Sequence, residues 1–181
     1  MWEKGNFSMA TYVDLKSHKS LHSLLISEQL QFKMSDTLAF EFHYSCIHER
    51  AVVSNSVWRW QHRLEMEFNK TFIFLCKNQI LTRNRLEIRR IEKNPKTLYR
   101  LRQRTAFIVP ISDKGSLRAY SLHNEIFYDL SSRRLTQNRF SPCTLTFNLD
   151  LIELDLFLML RYFLHENGWY QSFVVGTQIK F

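Results

Sequence analysis

The chain has 181 residues, 45% hydrophobic and 14% aromatic, with a formal net charge of +8. That composition excludes a disordered tail, and four glycines and three prolines exclude collagen-like and low-complexity chains and a Gly-rich phosphate loop. The basic balance predicts attraction to nucleic acid, anionic lipid or an acidic protein surface.

Phe7, Met9, Thr11, Val13 and Leu15 alternate with other residues, the pattern of a strand. From Ser17 to Ser27, the spacing of Leu21, Leu24 and Leu25 predicts a short helix, with Ser17 or Ser20 as N-cap. Leu30, Phe32 and Met34 alternate again. Ser35-Asp36 turns the chain, and Leu38, Phe40, Phe42, Tyr44 and Cys46 return as a strand. A polar connection, His48 to Ser56, follows.

The clearest periodicity runs from Trp58 to Phe68. Its even positions are Trp58, Trp60, His62, Leu64, Met66 and Phe68, and its odd positions are Arg59, Gln61, Arg63, Glu65 and Glu67. This is a strand with two unlike faces, and the bulky one is expected to be dry. Asn69-Lys70 reads as a turn, and Thr71 to Cys76 as a returning strand apolar on both faces.

Lys77 to Lys93 admits two readings. As a helix, it places Ile80, Leu81, Ile88 and Ile91 on one face, capped by Asn78 and stopped by Asn94-Pro95; as a strand, only Leu86 and Ile88 support it. The helix is preferred. Thr97 to Ile111 reads as a strand with Tyr99, Leu101, Phe107, Val109 and Ile111 on one face and Arg100, Arg102 and Arg104 on the other. Asp113-Lys114-Gly115 is a turn, and Ser116 to Ser141 a long, partly ordered connection with room for one strand.

Cys143 to Leu151 is a strand. Asp150 and Glu153 then have capping-box spacing for a helix to His165 that is apolar nearly all round. Asn167-Gly168 ends it, and Trp169 to Phe181 alternates as a final strand. The expected fold is therefore α+β: a single domain over residues 1–181, mainly antiparallel β-sheet. It carries two or three helices, including a buried C-terminal helix followed by a final strand.

Cys46, Cys76 and Cys143 are widely spaced and odd in number, which predicts buried free thiols in a reducing compartment, Cys76 deepest. The first residues lack an apolar signal-peptide core, and no apolar run reaches membrane-spanning length, so an intracellular protein, not secreted and with no transmembrane segment, is expected. His43, Cys46 and His48 invite a metal reading, but on a strand His43 points away from the other two, and no metal or cofactor is expected. His62 reads as a hydrogen-bonded core histidine, and Glu65 and Glu67 as part of a solvated face shared with Arg59 and Arg63. Asp14-Leu15-Lys16 lacks the upstream acid of a nuclease site, and no nucleophile elbow, phosphate loop or metalloprotease motif occurs. The expectation is a protein without catalytic residues.

The candidate binding residues cluster between Arg83 and Arg104. Arg83, Arg85, Arg89, Arg90, Lys93, Lys96, Arg100, Arg102 and Arg104 face only two acids, Glu87 and Glu92. Like charges side by side on one strand destabilise it unless water or an anionic partner screens them. The segment therefore reads either as a solvated face or as a surface for phosphate or lipid headgroups.

Two stretches carry a family resemblance. FSMATYVDL followed by SLHSLLISEQL, and CTLTFNLDL, IELDLFLMLRYFLHENG and WYQSFVVGTQIKF in succession, resemble in order the elements of rhabdovirus matrix proteins, especially the plant-infecting branch. The Lys-rich arm and Pro-Pro-x-Tyr motif of many animal-virus members are missing. The resemblance implies a non-enzymatic viral matrix protein. It would condense nucleocapsid or RNA, contact anionic membrane peripherally through the basic face, and self-associate. The alternative is a small RNA-binding protein such as a viral suppressor of RNA silencing. A suppressor would bind short duplex RNA tightly as a discrete dimer, whereas a matrix protein would bind RNA loosely and polymerise at low salt; either would lie in host cytoplasm or nucleus, and a viral structural protein also in the virion.

Overall fold

The computed structural model describes residues 2–18, 21–51, 58–74, 77–112, 115–149, 152–165 and 168–180. The strands are β1 (Trp2–Lys4), β2 (Phe7–His18), β3 (Leu21–Ser35), β4 (Leu38–Ala51), β5 (Arg59–Ile73) and β6 (Gln79–Ile91). They continue as β7 (Thr97–Pro110), β8 (Leu117–Asp129), β9 (Arg134–Leu149), β10 (Ile152–His165) and β11 (Gly168–Lys180). They bond in sequence order, β1 to β11, as one up-and-down antiparallel sheet. Short connections make this order natural, because antiparallel neighbours need only a hairpin.

No helical element occurs among the described residues, so the fold is all-β and the α+β expectation is corrected. The expected helix at Ser17–Ser27 belongs to the ends of β2 and β3, where Leu24 pairs with His48 and Leu25 with Ile47. The preferred helix at Lys77–Lys93 is β6, and the connection at Ser116–Ser141 holds β8 and the start of β9. The C-terminal helix is β10, paired along its length with β9 and β11. Its exposed positions Leu156 and Leu158 alternate, but Phe157 between them and Met159 after them are also apolar, which hides the period of two. Nor does Asn69-Lys70 turn: β5 runs through both. Cys76 lies outside the described residues, and Cys46 and Cys143 are free and half-buried.

By contacts the chain divides into two compact units. The first comprises Met1–Asn69, Arg85–Leu101 and Leu130–Ser132, and the second Lys70–Asn84, Arg102–Asp129 and Arg133–Phe181. In the first, β5 covers Gln61, Glu65 and Glu67, while Trp60, His62 and Phe68 are exposed. The bulky face expected to be dry is therefore the outer one, and the charged face is covered. The second unit repeats this: Glu125, Ser141 and Thr144 are buried, while Leu156, Leu158, Phe173 and Val175 are exposed.

One irregularity shapes the second unit. Along β9–β10, Leu158 pairs with Cys143 and Leu160 with Phe140, so Ser141 and Pro142 together oppose the one residue between them. Proline cannot donate to the ladder, and a bulge absorbs it. The fully buried Ser141 hydroxyl donates to the Leu158 carbonyl at 2.5 Å, and Tyr120 donates its hydroxyl proton to the Pro142 carbonyl at 2.6 Å.

Candidate functional site

The covered face of the first unit is a network of carboxylates and their donors. Arg85 donates from Nη1 to Glu65 at 2.7 Å and from Nε to Glu67 at 2.5 Å. Arg100 donates from Nε and Nη2 to one oxygen of Glu87, whose side chain is fully buried. Glu41 accepts from Gln31 and Asn69 on one oxygen and lies against Gln29 and His43 on the other, at 2.8 to 3.0 Å. Ligating atoms of Glu41, His43 and Glu67 lie within 4.8 Å of one another, close enough to hold a cation. Yet both Glu41 oxygens already have two polar partners each, so the arrangement is a hydrogen-bonded carboxylate nest, which keeps a buried charge solvated by protein dipoles.

The second unit centres on Glu125. Arg102 donates to it at 2.7 Å, and guanidinium nitrogens of Arg139 and Arg83 lie 3.7 and 3.8 Å away. Phe127, 1% exposed, has the guanidinium carbons of Arg102 and Arg139 at 4.7 and 4.6 Å from its ring centre. The aromatic face thus offsets part of the repulsion between the two cations. Nearby is a cavity of about 240 Å³ whose walls include Arg104, His123, Glu125, Arg139 and Asp155.

The exposed face is apolar with one polar row. In the first unit Met9 pairs with Leu30 and Leu30 with Phe42; Phe7 pairs with Phe32 and Phe32 with Phe40. In the second, Leu154, Leu158 and Leu160 of β10 face Ile179, Val175 and Phe173 of β11. The polar row crosses the first unit: Thr11 donates to Glu28 at 2.8 Å, Glu28 pairs with Tyr44, and the Tyr44 hydroxyl lies 2.8 Å from His62 Nδ1. His62 and Arg90 then share a cleft. Next to this row His48 stacks on Trp60, with ring centres 4.1 Å apart, and tilts against Trp58 at 4.5 Å.

These positions divide the basic segment of the sequence. Arg85 and Arg100 pair with buried acids of the first unit, and Arg83 and Arg102 with Glu125 in the second. Arg104 lies 3.3 Å from His123, and Arg89 is half-buried. Arg90, Lys93 and Lys96 are exposed. The expected shared solvent face of Arg100, Arg102 and Arg104 is thereby corrected: all three are on the covered side of β7, while Tyr99 and Leu101 are exposed. Sequence reasoning missed Glu41, Glu87 and Glu125 as partners. The solvated face expected for Glu65 and Glu67 is corrected, since both are buried; the recurrence of charge on one face of both β5 and β7 is the signal that could have shown it. His62, expected in the core, is exposed.

Residues 5–172 match the model of a family described as "Protein of unknown function (DUF2490)". No curated protein and no solved structure matches. The family match replaces the resemblance to rhabdovirus matrix proteins, whose supposed helices are strands here.

Proposed function

We propose that this chain, which belongs to the DUF2490 family, is an integral membrane β-protein of the outer-membrane barrel type. One observation carries the reading, the inversion of polarity. Among the described residues thirty large apolar side chains are exposed and only Ile47, Ala106 and Phe127 are buried hydrophobics, while ten polar or charged residues are buried. In water that arrangement forfeits the hydrophobic driving force. In a bilayer it is the stable one, because lipid covers the apolar face and the charges meet one another on the other.

Strand length supports it. β2 to β11 run from 12 to 16 residues. At about 3.3 Å per residue and a tilt of about 45°, some 13 residues rise about 30 Å, a hydrocarbon thickness. No helix among the described residues is long and apolar enough to cross a membrane. Trp58 and Trp60, at the start of β5, then form part of an interfacial aromatic belt. The peripheral anionic membrane expected from the sequence becomes, in this proposal, the bilayer around the protein. Condensation of nucleocapsid or RNA rested on the matrix resemblance and is not part of it.

The test is reconstitution into neutral phosphatidylcholine vesicles, followed by an alkaline wash. The protein is expected to stay with the vesicles and to resist protease there. Leu158→Arg, which puts a charge on the lipid side of β10, is expected to lose about 2–4 kcal/mol of stability in the bilayer. A protein that is folded and monodisperse in detergent-free buffer refutes the proposal.

A further inference from the structure

The face proposed to meet lipid carries a cleft with two cations in its wall. It has a volume of about 570 Å³ and lies where β5 meets the end of β6, walled by Trp60, His62, Arg90, Ile91, Glu92 and Lys93. Two hydrogen bonds tie its walls together: the Glu92 amide donates to the Trp60 carbonyl at 2.8 Å, and the Trp60 amide to the Glu92 carboxylate at 3.1 Å. Lys93 adopts a left-handed φ of 64°, and the Asn94 amide donates back to the Ile91 carbonyl at 3.0 Å. The turn is therefore preorganised around two exposed cations, Arg90 and Lys93.

These cations differ from the other arginines of the segment. Arg85, Arg100 and Arg102 are held against acids on the covered side, whereas Arg90 and Lys93 have no acid within salt-bridge distance among the described residues. The one acid in the cleft, Glu92, is already engaged by the Trp60 amide. Arg90 also stands at the end of the polar row formed by Thr11, Glu28, Tyr44 and His62, beside the stacked Trp60 and His48. The cleft thus combines a positive end with an aromatic wall, continuous with an apolar face.

We infer that this cleft binds the phosphate of an anionic membrane lipid, with Arg90 and Lys93 taking the headgroup and Trp60 lying along the adjoining glycerol and acyl region. The inference rests on the membrane reading. A lipid is favoured over a free anion by that continuity, since only a lipid satisfies the cations and covers the rings together. Arginine and lysine provide complementary recognition, a planar fork and a point charge.

The experiment uses the detergent-solubilised full chain and measures lipid retention with phosphatidylglycerol or phosphatidylcholine as probe. Phosphatidylglycerol is expected to be retained preferentially. Arg90→Gln with Lys93→Asn is expected to weaken its binding roughly 30-fold at low salt, at about 1 kcal/mol for each charge. Asparagine is chosen because it tolerates the left-handed backbone. Melting in detergent should be unchanged, and Arg90→Gln alone should give a partial loss. Equal retention of the two lipids, or undiminished phosphatidylglycerol binding by the double variant, overturns the inference. Displacement of the lipid by millimolar inorganic phosphate alone assigns the cleft to a free anion and also overturns it. Insertion of both proteins into neutral vesicles separates any of these failures from failure of the membrane reading.

Discussion

Arg85 is the residue whose removal most directly tests the covered charge network. It holds Glu65 and Glu67, whose side chains are 5% and 2% exposed. Arg85→Met keeps much of the packing volume and deletes the cation. Asn69 still donates to Glu67 at 2.9 Å, and Arg63 lies 3.6 Å from Glu65, so neither acid is stripped of every partner. Breaking a buried pair by removing one member costs about 3–5 kcal/mol, because a charge remains without compensation. The residual contacts place this variant near the lower end, about 3 kcal/mol. The assay is urea unfolding in lipid vesicles or detergent, followed by tryptophan fluorescence. Adding Glu65→Gln and Glu67→Gln to Arg85→Met removes the orphaned charges and should recover a substantial part of the loss. If Arg85→Met unfolds at the wild-type urea concentration, these carboxylates are solvated and the polar face of β5 is not a covered one.

Replacing Arg100, Arg102 and Arg104 together with Gln should lower the melting temperature markedly, because buried Glu87 and Glu125 lose their principal donors. A melting curve equal to wild type would return these arginines to a solvent face. Gly176→Val should cost about 1–3 kcal/mol by thermal unfolding, since the Phe157 ring lies across Gly176 and already occupies the place of a Cβ. Adding Phe157→Ala should make Gly176→Val far less costly, and a Gly176→Val penalty that is unchanged by Phe157→Ala would refute the steric explanation.

The sheet was partly legible. The alternation in Phe7–Leu15, Leu38–Cys46, Thr97–Ile111 and Trp169–Phe181 located β2, β4, β7 and β11, because each of these segments has clearly unlike faces. β10 was hidden for the opposite reason: Phe157, Met159 and Phe163 put apolar groups on its covered side, and Asp150 and Glu153 imitate a helix cap. Asn69 imitated a turn residue, whereas its side chain donates to Glu41 and Glu67 from the middle of β5. The acids that Arg85, Arg100 and Arg102 hold were unreadable because these partners are 13 to 23 residues away in sequence, joined only by strand register.

The sequence by itself determined that strands such as β5 have one bulky and one charged face, since side chains on a strand alternate with a period of two. It did not determine which face is covered, because alternation is unchanged when inside and outside are exchanged. Only the tertiary structure decided that, by bringing Arg85 to Glu65 and Glu67, Arg100 to Glu87 and Arg102 to Glu125 on the covered side. The physical reason is mutual compensation: a charge can be buried only where the fold brings a partner to it, and strand pairing sets where the partners meet.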